Sequence, residues 1–255
     1  MNKLKGKVAL VTEASRGIGR SIALHLAQAG ALVVVHYSTR KEEAESVVDK
    51  IKQDGGAAFA ISADLSTFKG INNLYLMMDQ SLQKHIGNTT FDILVNNAGI
   101  GQILTLEESS TEESFDEVMN INVKAPFFII QKALPRLKDG GRIINISLFV
   151  TRVASPSVFA YSISKGAINT LTHTLAQQLG ARGITVNAIL PGIINTEMNA
   201  ETLGNKDGQK YAAGLSTFNR WEEPNDIADI VGFLSSSDSR WITGELIDAS
   251  GGSCL

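Results

Sequence analysis

The chain has 255 residues, 44% of them hydrophobic, and a formal net charge of −3. That length and apolar content suit one α/β domain, the lack of a basic excess argues against a nucleic-acid partner, and no apolar run reaches the roughly 18 residues of a membrane span. The single cysteine, Cys254, cannot close an internal disulfide, and a strand-like run at Val8 leaves no room for a signal peptide; both point to a reducing cytoplasm.

Short β-branched runs alternate with long helical patterns along the chain. Strands are expected at Lys7–Thr12, Ala31–His36, Ala57–Ser62, Phe91–Asn96, Gly141–Ser147, Ile184–Leu190 and Leu246–Asp248. Helices are expected at about Gly17–Ala29, Lys41–Asp54, Lys69–Lys84, Thr111–Lys138, Ala160–Ala181 and Pro224–Ser235. This alternation implies βαβ units and a doubly wound parallel sheet, a Rossmann-type fold, in one domain over residues 1–255. The weakly patterned stretch Asn195–Phe218 follows a strand's C-terminal end, where ligands bind in such sheets. It reads as a substrate lid, or as a surface helix-loop.

Two places carry chemistry. Gly17-Ile-Gly19 opens the first helix directly after the first strand, where glycines let backbone approach a pyrophosphate and the helix N-terminus stabilises the anion. Tyr161 and Lys165 stand four residues apart on one face of a helix. A phenol ionises near pH 10, so as a neutral-pH acid/base it needs a nearby positive charge, which Lys165 supplies. Asn122 sits in an apolar helix where an asparagine is otherwise unfavourable. His25, His36, His85 and His173 are dispersed, which favours core or surface roles, and no His/Cys/Asp cluster has metal-ligand spacing. No G-x-S-x-G nucleophile elbow is present.

Thr12-Glu-Ala-Ser-Arg-Gly17-Ile-Gly19, Asn96-Asn-Ala-Gly99, Asn122, Tyr161-Ser-Ile-Ser-Lys165 and Asn187-Ala-Ile-Leu-Pro-Gly192 together resemble the short-chain dehydrogenase/reductase family nearly end to end. The overall pattern is nearest to 3-oxoacyl-[acyl-carrier-protein] reductases and related bacterial ketoreductases. The resemblance implies hydride transfer between NAD(P)H and a ketone or secondary alcohol, with a small-molecule carbonyl substrate and a homotetrameric assembly. It makes Tyr161 the proton donor, gives Lys165 the nicotinamide ribose as well as the phenol, and has Asn122 hold a relay water. Thr12, Ser15, Arg16, Gly17, Ile18 and Gly19 would surround the dinucleotide, as would Tyr37 from the second strand. Asn96, Ala98 and Gly99 would line its adenosine side, with Asp64 and Leu65 at the adenine. Pro191, Gly192, Ile194 and Thr196 would bind its carboxamide end. Asp248-Ala-Ser-Gly-Gly252 resembles the last strand and its subunit contact.

Two positions depart from the family pattern. Glu13 stands where the first glycine is usual; it loses glycine's freedom at positive φ and places a carboxylate near the expected ribose, which disfavours a 2′-phosphate. Against this, His36-Tyr-Ser lacks the acidic residue that binds the NAD ribose, and Arg16 and Arg40 are placed to meet a 2′-phosphate. The balance favours NADP(H), with NAD(H) as the alternative. Leu148 stands where the catalytic serine is usual, thirteen positions before the tyrosine. Ser147 could replace it only if a bulge rotates the strand end, because alternation points it to the other face; Thr151 and Ser155 are further candidates. With both departures, the rival reading is a catalytically weak dinucleotide-binding protein that acts as a sensor or oligomer partner.

Overall fold

The computed structural model describes residues 2–101, 105–106 and 111–253, so Cys254 lies outside the described residues. Seven strands form one parallel sheet: β1 (Val8–Val11), β2 (Leu32–Tyr37), β3 (Ala57–Ser62), β4 (Phe91–Asn96), β5 (Leu137–Ile146), β6 (Thr185–Pro191) and β7 (Leu246–Ala249). Their order across the sheet is β3-β2-β1-β4-β5-β6-β7. The chain therefore winds outward from β1 in one direction and from β4 in the other. The crevice between the C-terminal ends of β1 and β4 is the switch point, where such sheets bind ligands.

The central strands are mainly apolar because both faces are covered, while β5 enters through the polar residues Lys138 and Asp139. In β1, Ala9 and Val11 join a core shared with α1 (Gly17–Gln28), α2 (Lys41–Gln53) and α9 (Pro224–Ser235). Val8 and Leu10, one residue out of step, join the opposite core with α3 (Phe68–Ile86), α5 (Ala125–Ala133) and α6 (Phe159–Leu179). Leu26 and Leu74 are fully buried on the two faces, and burial of each such side chain contributes about 1.5–3 kcal/mol. Helix ends follow their local chemistry. Thr67 caps α3 by accepting from the Gly70 amide, and Gly87 closes it in the left-handed conformation.

The expected helix Thr111–Lys138 is not continuous. It comprises α4 (Glu112–Met119), a π-helical turn (Asn120–Lys124) and α5, which ends at Ala133. Pro135 lacks an amide and disfavours helical geometry in the residue before it, so the chain turns and Leu137 already belongs to β5. The stretch Asn195–Phe218 contains two short helices, α7 (Ala200–Leu203) and α8 (Lys206–Leu215). Among the described residues no helix is long and apolar enough to cross a membrane.

Candidate active site

The floor of the crevice is built from buried hydrogen bonds between strand ends. Thr12, fully buried at the end of β1, donates from Oγ1 to the Val95 carbonyl at 3.3 Å and accepts from the Asn97 and Ala98 amides, each at 2.9 Å. The Asn97 carboxamide donates back to the carbonyls of Thr12 (2.9 Å) and Glu13 (3.1 Å). A Cβ at Gly19 would lie 2.2 Å from the Glu13 carbonyl oxygen, so no larger residue fits against this loop. Asn96 donates to Asn145 on β5, and Asn145 donates to Thr172 on α6, both at 2.9 Å; a polar row thus crosses the sheet into the helix layer.

Glu13 takes the left-handed conformation that glycine would have supplied, with φ of 50°. His36 holds it there. The Glu13 amide donates to His36 Nδ1 at 3.1 Å, so the ring proton is on Nε2, which donates to the Ala63 carbonyl at 3.1 Å. The His36 carbonyl also accepts from the Ala14 amide at 2.8 Å. Burial lowers the His36 pKa to about 4, and the ring is neutral at physiological pH. In the sequence His36 is one of four scattered histidines and the first of His36-Tyr-Ser; its partners come from two loops, after β1 and after β3, and leave no linear signal. Burial pushes the Glu13 carboxyl above its ordinary value, against the opposing pull of Arg16, Arg40 and the Ser38 backbone.

Other expected contacts divide. Ser15 Oγ and Asn96 Oδ1 are buried without a hydrogen-bond partner at the switch point, so a polar ligand in the crevice would satisfy them. Gly17 has φ of 52° and faces Thr196, which follows β6. Arg16 and Arg40 both reach Glu197. Tyr37 and Ile18 are partly buried against the adjoining core. Leu65 is a core residue, and Asp64 closes a local turn by accepting from the amide and hydroxyl of Ser66 at 2.9 and 2.6 Å. Pro191 ends β6; the Gly192 amide donates to Glu222 at 2.6 Å, and buried Ile194 bridges to Glu222. Burial raises the Glu222 carboxyl to about 7.

The chemical end lies across the crevice on α6. Lys165 is buried and donates from Nζ to the Ile146 carbonyl at 2.8 Å, and Nζ stands 5.7 Å from the centre of the Tyr161 ring. Burial lowers the ammonium to about 8 and raises the phenol to about 12. Asn122, in the π turn, accepts from the Ile100 amide at 2.9 Å and donates to the Ile100 carbonyl at 2.8 Å and to Ser164 Oγ at 3.0 Å. Ser164 donates to the Tyr161 carbonyl at 2.7 Å. A Cβ at Gly99 would lie 3.2 Å from Lys165 Nζ and 3.3 Å from Asn122 Oδ1, so Gly99, Asn122 and Lys165 converge on one point. A Cβ at Gly101 would touch both the Tyr161 ring (3.5 Å) and Met198 (3.3 Å).

No bulge turns Ser147 into the place of the usual serine. Its Oγ lies 2.6 Å from Asn169 Oδ1 and 3.2 Å from the Lys165 carbonyl oxygen, one turn below Tyr161, where it braces α6. Thr151 Oγ1 donates to the Leu148 carbonyl at 2.8 Å and accepts from Asn169 at 3.0 Å. Half-buried Leu148 presents an aliphatic side chain at the strand end. Among the described residues no group of His, Cys, Asp or Glu could hold a metal ion.

Comparison with known proteins identifies the family. A family model described as enoyl-(acyl carrier protein) reductase matches residues 13–253. An uncharacterized oxidoreductase of Methylorubrum extorquens is 42% identical, with 99% of each chain covered. Versicolorin reductase of Emericella nidulans is 41% identical over 98% of this chain and 96% of its own. The crystal structure of the angucycline C-6 ketoreductase LanV with bound NADP superposes with a TM-score of 0.94 at 47% identity, covering 98% of this chain and 96% of the other. A seven-stranded sheet in this order, a glycine-rich turn at its switch point and a Tyr-Lys pair facing it thus occur in a chain that belongs to the short-chain dehydrogenase/reductase family.

Proposed function

We propose that this protein is an NADPH-dependent ketoreductase that acts on a ketone of a polycyclic aromatic polyketide. The observation that carries the catalytic reading is the pairing of partly buried Tyr161 with buried Lys165 beside the switch point, Lys165 and Asn122 meeting at Gly99 and Tyr161 at Gly101. The substrate class rests on the named relatives, versicolorin reductase and the angucycline ketoreductase, and on the thioether of Met198 beside Gly101 and the Tyr161 ring. The NADP found in the latter structure fits the two arginines and the unpartnered Ser15 and Asn96 oxygens of this chain.

When bound, the dinucleotide supplies the hydride. The protein's own part is proton delivery and placement. Tyr161 donates its phenolic proton to the carbonyl oxygen as negative charge develops there. Burial opposes ionisation of the phenol, and Lys165 is the neighbouring cation placed to favour the resulting phenolate. Asn122 fixes the Ile100 segment and, through Ser164, the start of α6. With Leu148 in the serine position, the phenol is the principal donor to the oxygen, and this suits carbonyls already activated by electron-withdrawing groups or by a hydrogen bond from a neighbouring phenolic hydroxyl of the substrate.

Absorbance of the reduced cofactor, followed with a fused-ring aromatic ketone and with a simple β-keto thioester, tests the reading. Turnover of the aromatic ketone is expected to exceed that of the thioester. Tyr161→Phe should lose roughly 10²–10⁴-fold in kcat with cofactor affinity intact. A Tyr161→Phe enzyme that kept most of its activity would remove the proposed acid.

The assembly we infer is a homotetramer of dihedral symmetry. Phe115 on α4 and Phe127 on α5 are 38% and 49% exposed, and Phe127 borders an apolar groove with Met119, Val123 and Phe128. Such a face suits burial against a second copy. A monomeric mass by light scattering at micromolar concentration would contradict it.

A further inference from the structure

The segment after β6 crosses the crevice as a strap pinned at its root. The Asn195 amide donates to the Glu222 carbonyl at 2.8 Å, and Asn199 Nδ2 donates to the Ile194 carbonyl at 2.8 Å. Between these anchors, Thr196 lies over Gly17 and Met198 over Gly101. Glu197 stands between them and reaches the far side. Its Oε2 accepts from Arg16 Nη1 at 2.5 Å and from Arg40 Nη2 at 3.0 Å. The two arginines come from different elements, Arg16 preceding α1 and Arg40 preceding α2. Two guanidiniums that converge on one oxygen form an anion seat, and each stands at a helix N-terminus whose dipole also favours negative charge. Glu197 is the anion that occupies it. The other carboxylates nearby are Glu13, held on the floor side by the Ser38 backbone, and Glu43, which accepts from Arg40 Nη1 at 3.3 Å.

We propose that Glu197 is a cofactor-discriminating latch: it fills the seat of the cofactor's 2′-phosphate in the free protein, and a 2′-phosphate must displace it. The inference rests on the cofactor reading above. Displacement is feasible because all three side chains are substantially exposed, at 45%, 40% and 57% for Arg16, Arg40 and Glu197, and exposed ion pairs are individually weak and screened by salt. A phosphomonoester brings more charge and three acceptor oxygens to guanidiniums that Glu197 engages through one. Binding of a 2′-phosphorylated nucleotide therefore frees the strap from its far attachment. Binding of a nucleotide with a bare ribose leaves the latch closed. The strap then reports, next to Tyr161, which dinucleotide has arrived at the opposite end of the crevice.

Calorimetric titration with 2′,5′-ADP and with 5′-AMP separates the possibilities, because neither probe reaches the chemical end. Glu197→Gln should bind 2′,5′-ADP roughly fivefold more tightly than the unaltered protein, with 5′-AMP affinity unchanged. That gain should shrink in high salt. Amide hydrogen exchange at Glu197–Leu203 in the unaltered protein should rise with 2′,5′-ADP and not with 5′-AMP. Equal 2′,5′-ADP affinities for the two proteins, or an equal gain for 5′-AMP, would overturn the latch while leaving the nucleotide site standing. A double Arg16→Ala/Arg40→Ala protein that bound 2′,5′-ADP as well as the unaltered one would overturn the phosphate seat itself, and with it the cofactor reading.

Discussion

The two banks of the crevice use buried polar groups in opposite ways. On the β1–β2 bank, Thr12 and His36 are hydrogen-bonded to backbone partners and the Asn97 carboxamide nitrogen reaches over from the end of β4 to the Thr12 and Glu13 carbonyls, with Ser15 Oγ the exception that has no partner. On the β4–β5–α6 bank, a buried ammonium faces a single carbonyl, a phenol is held in its neutral form by burial, and Asn96 Oδ1 has no partner. A fully matched polar network stabilises and fixes geometry, whereas an under-matched one costs stability and is available to a ligand. The first bank therefore sets where the backbone lies, and the second determines what can react there.

That contrast predicts a separation of acid stability from catalysis. His36 has a folded pKa of about 4, below its ordinary 6.5, so folding excludes its proton. The unfolded chain binds more protons over that range, and stability falls as pH drops from 6.5 toward 4, by about 3 kcal/mol for this group. Glu222, raised to about 7, works in the opposite direction, so the useful quantity is a difference between proteins. Urea unfolding of unaltered and His36→Gln protein at about pH 7 and about pH 4.5 should show the acid loss reduced in the variant. Equal losses would mean that His36 is not the group responsible.

The opposite bank should respond to base, in rate. The Lys165 ammonium, lowered to about 8, is lost as pH rises, so kcat/KM for ketone reduction should fall about tenfold per pH unit above about 8. Stability moves the other way, rising as pH climbs from about 8 toward the ordinary 10.5, because the fold disfavours the charged form. A pH–rate profile of the free enzyme checks the first trend, and Lys165→Arg should remove that limb. A flat profile up to about pH 10 would show that the ammonium is not required.

The smallest effect concerns Glu13, which belongs to the matched bank but carries strain. Replacing it with glycine relieves a left-handed backbone and should stabilise the protein by about 1 kcal/mol, less the added freedom of the unfolded chain. Removing the carboxylate should also shift preference toward NADPH. Thermal unfolding and the ratio of the two cofactors' kinetic constants measure these together. A destabilised Glu13→Gly would mean that the carboxylate's contacts outweigh the strain.

The sequence carried the fold further than the site. Phe91–Asn96 is a strand at its expected bounds, buried at every position, and Ala57–Ser62 at the sheet edge also keeps its bounds although it is only partly buried. The end of α5 was misplaced by five residues' worth of pattern, where Pro135 was the readable warning. Spacing and resemblance single out Tyr161, Lys165 and Asn122, and the fold brings Lys165 and Asn122 to Gly99 and Tyr161 to Gly101. Ser147 keeps the orientation that strand alternation predicts, and what the sequence did not show is what holds it, the Lys165 carbonyl and Asn169 across the layer. The role of His36 and the reach of Glu197 depend on residues 27 and 181 positions away, and linear proximity says nothing about either.

The π turn at Asn120–Lys124 acts as a phase shifter. A π turn amounts to one extra residue in a helix, and one residue is about 100° of rotation. Upstream of it α4 lies against α6, and downstream α5 lies against α3, so a single run of chain faces two different neighbours on either side of the insertion. Removal of one residue there would restore an even helical repeat and rotate the two halves against each other. Asn122 would turn away from Ile100 as Ile129 turned out of the core, which couples the site and the core to one count of residues.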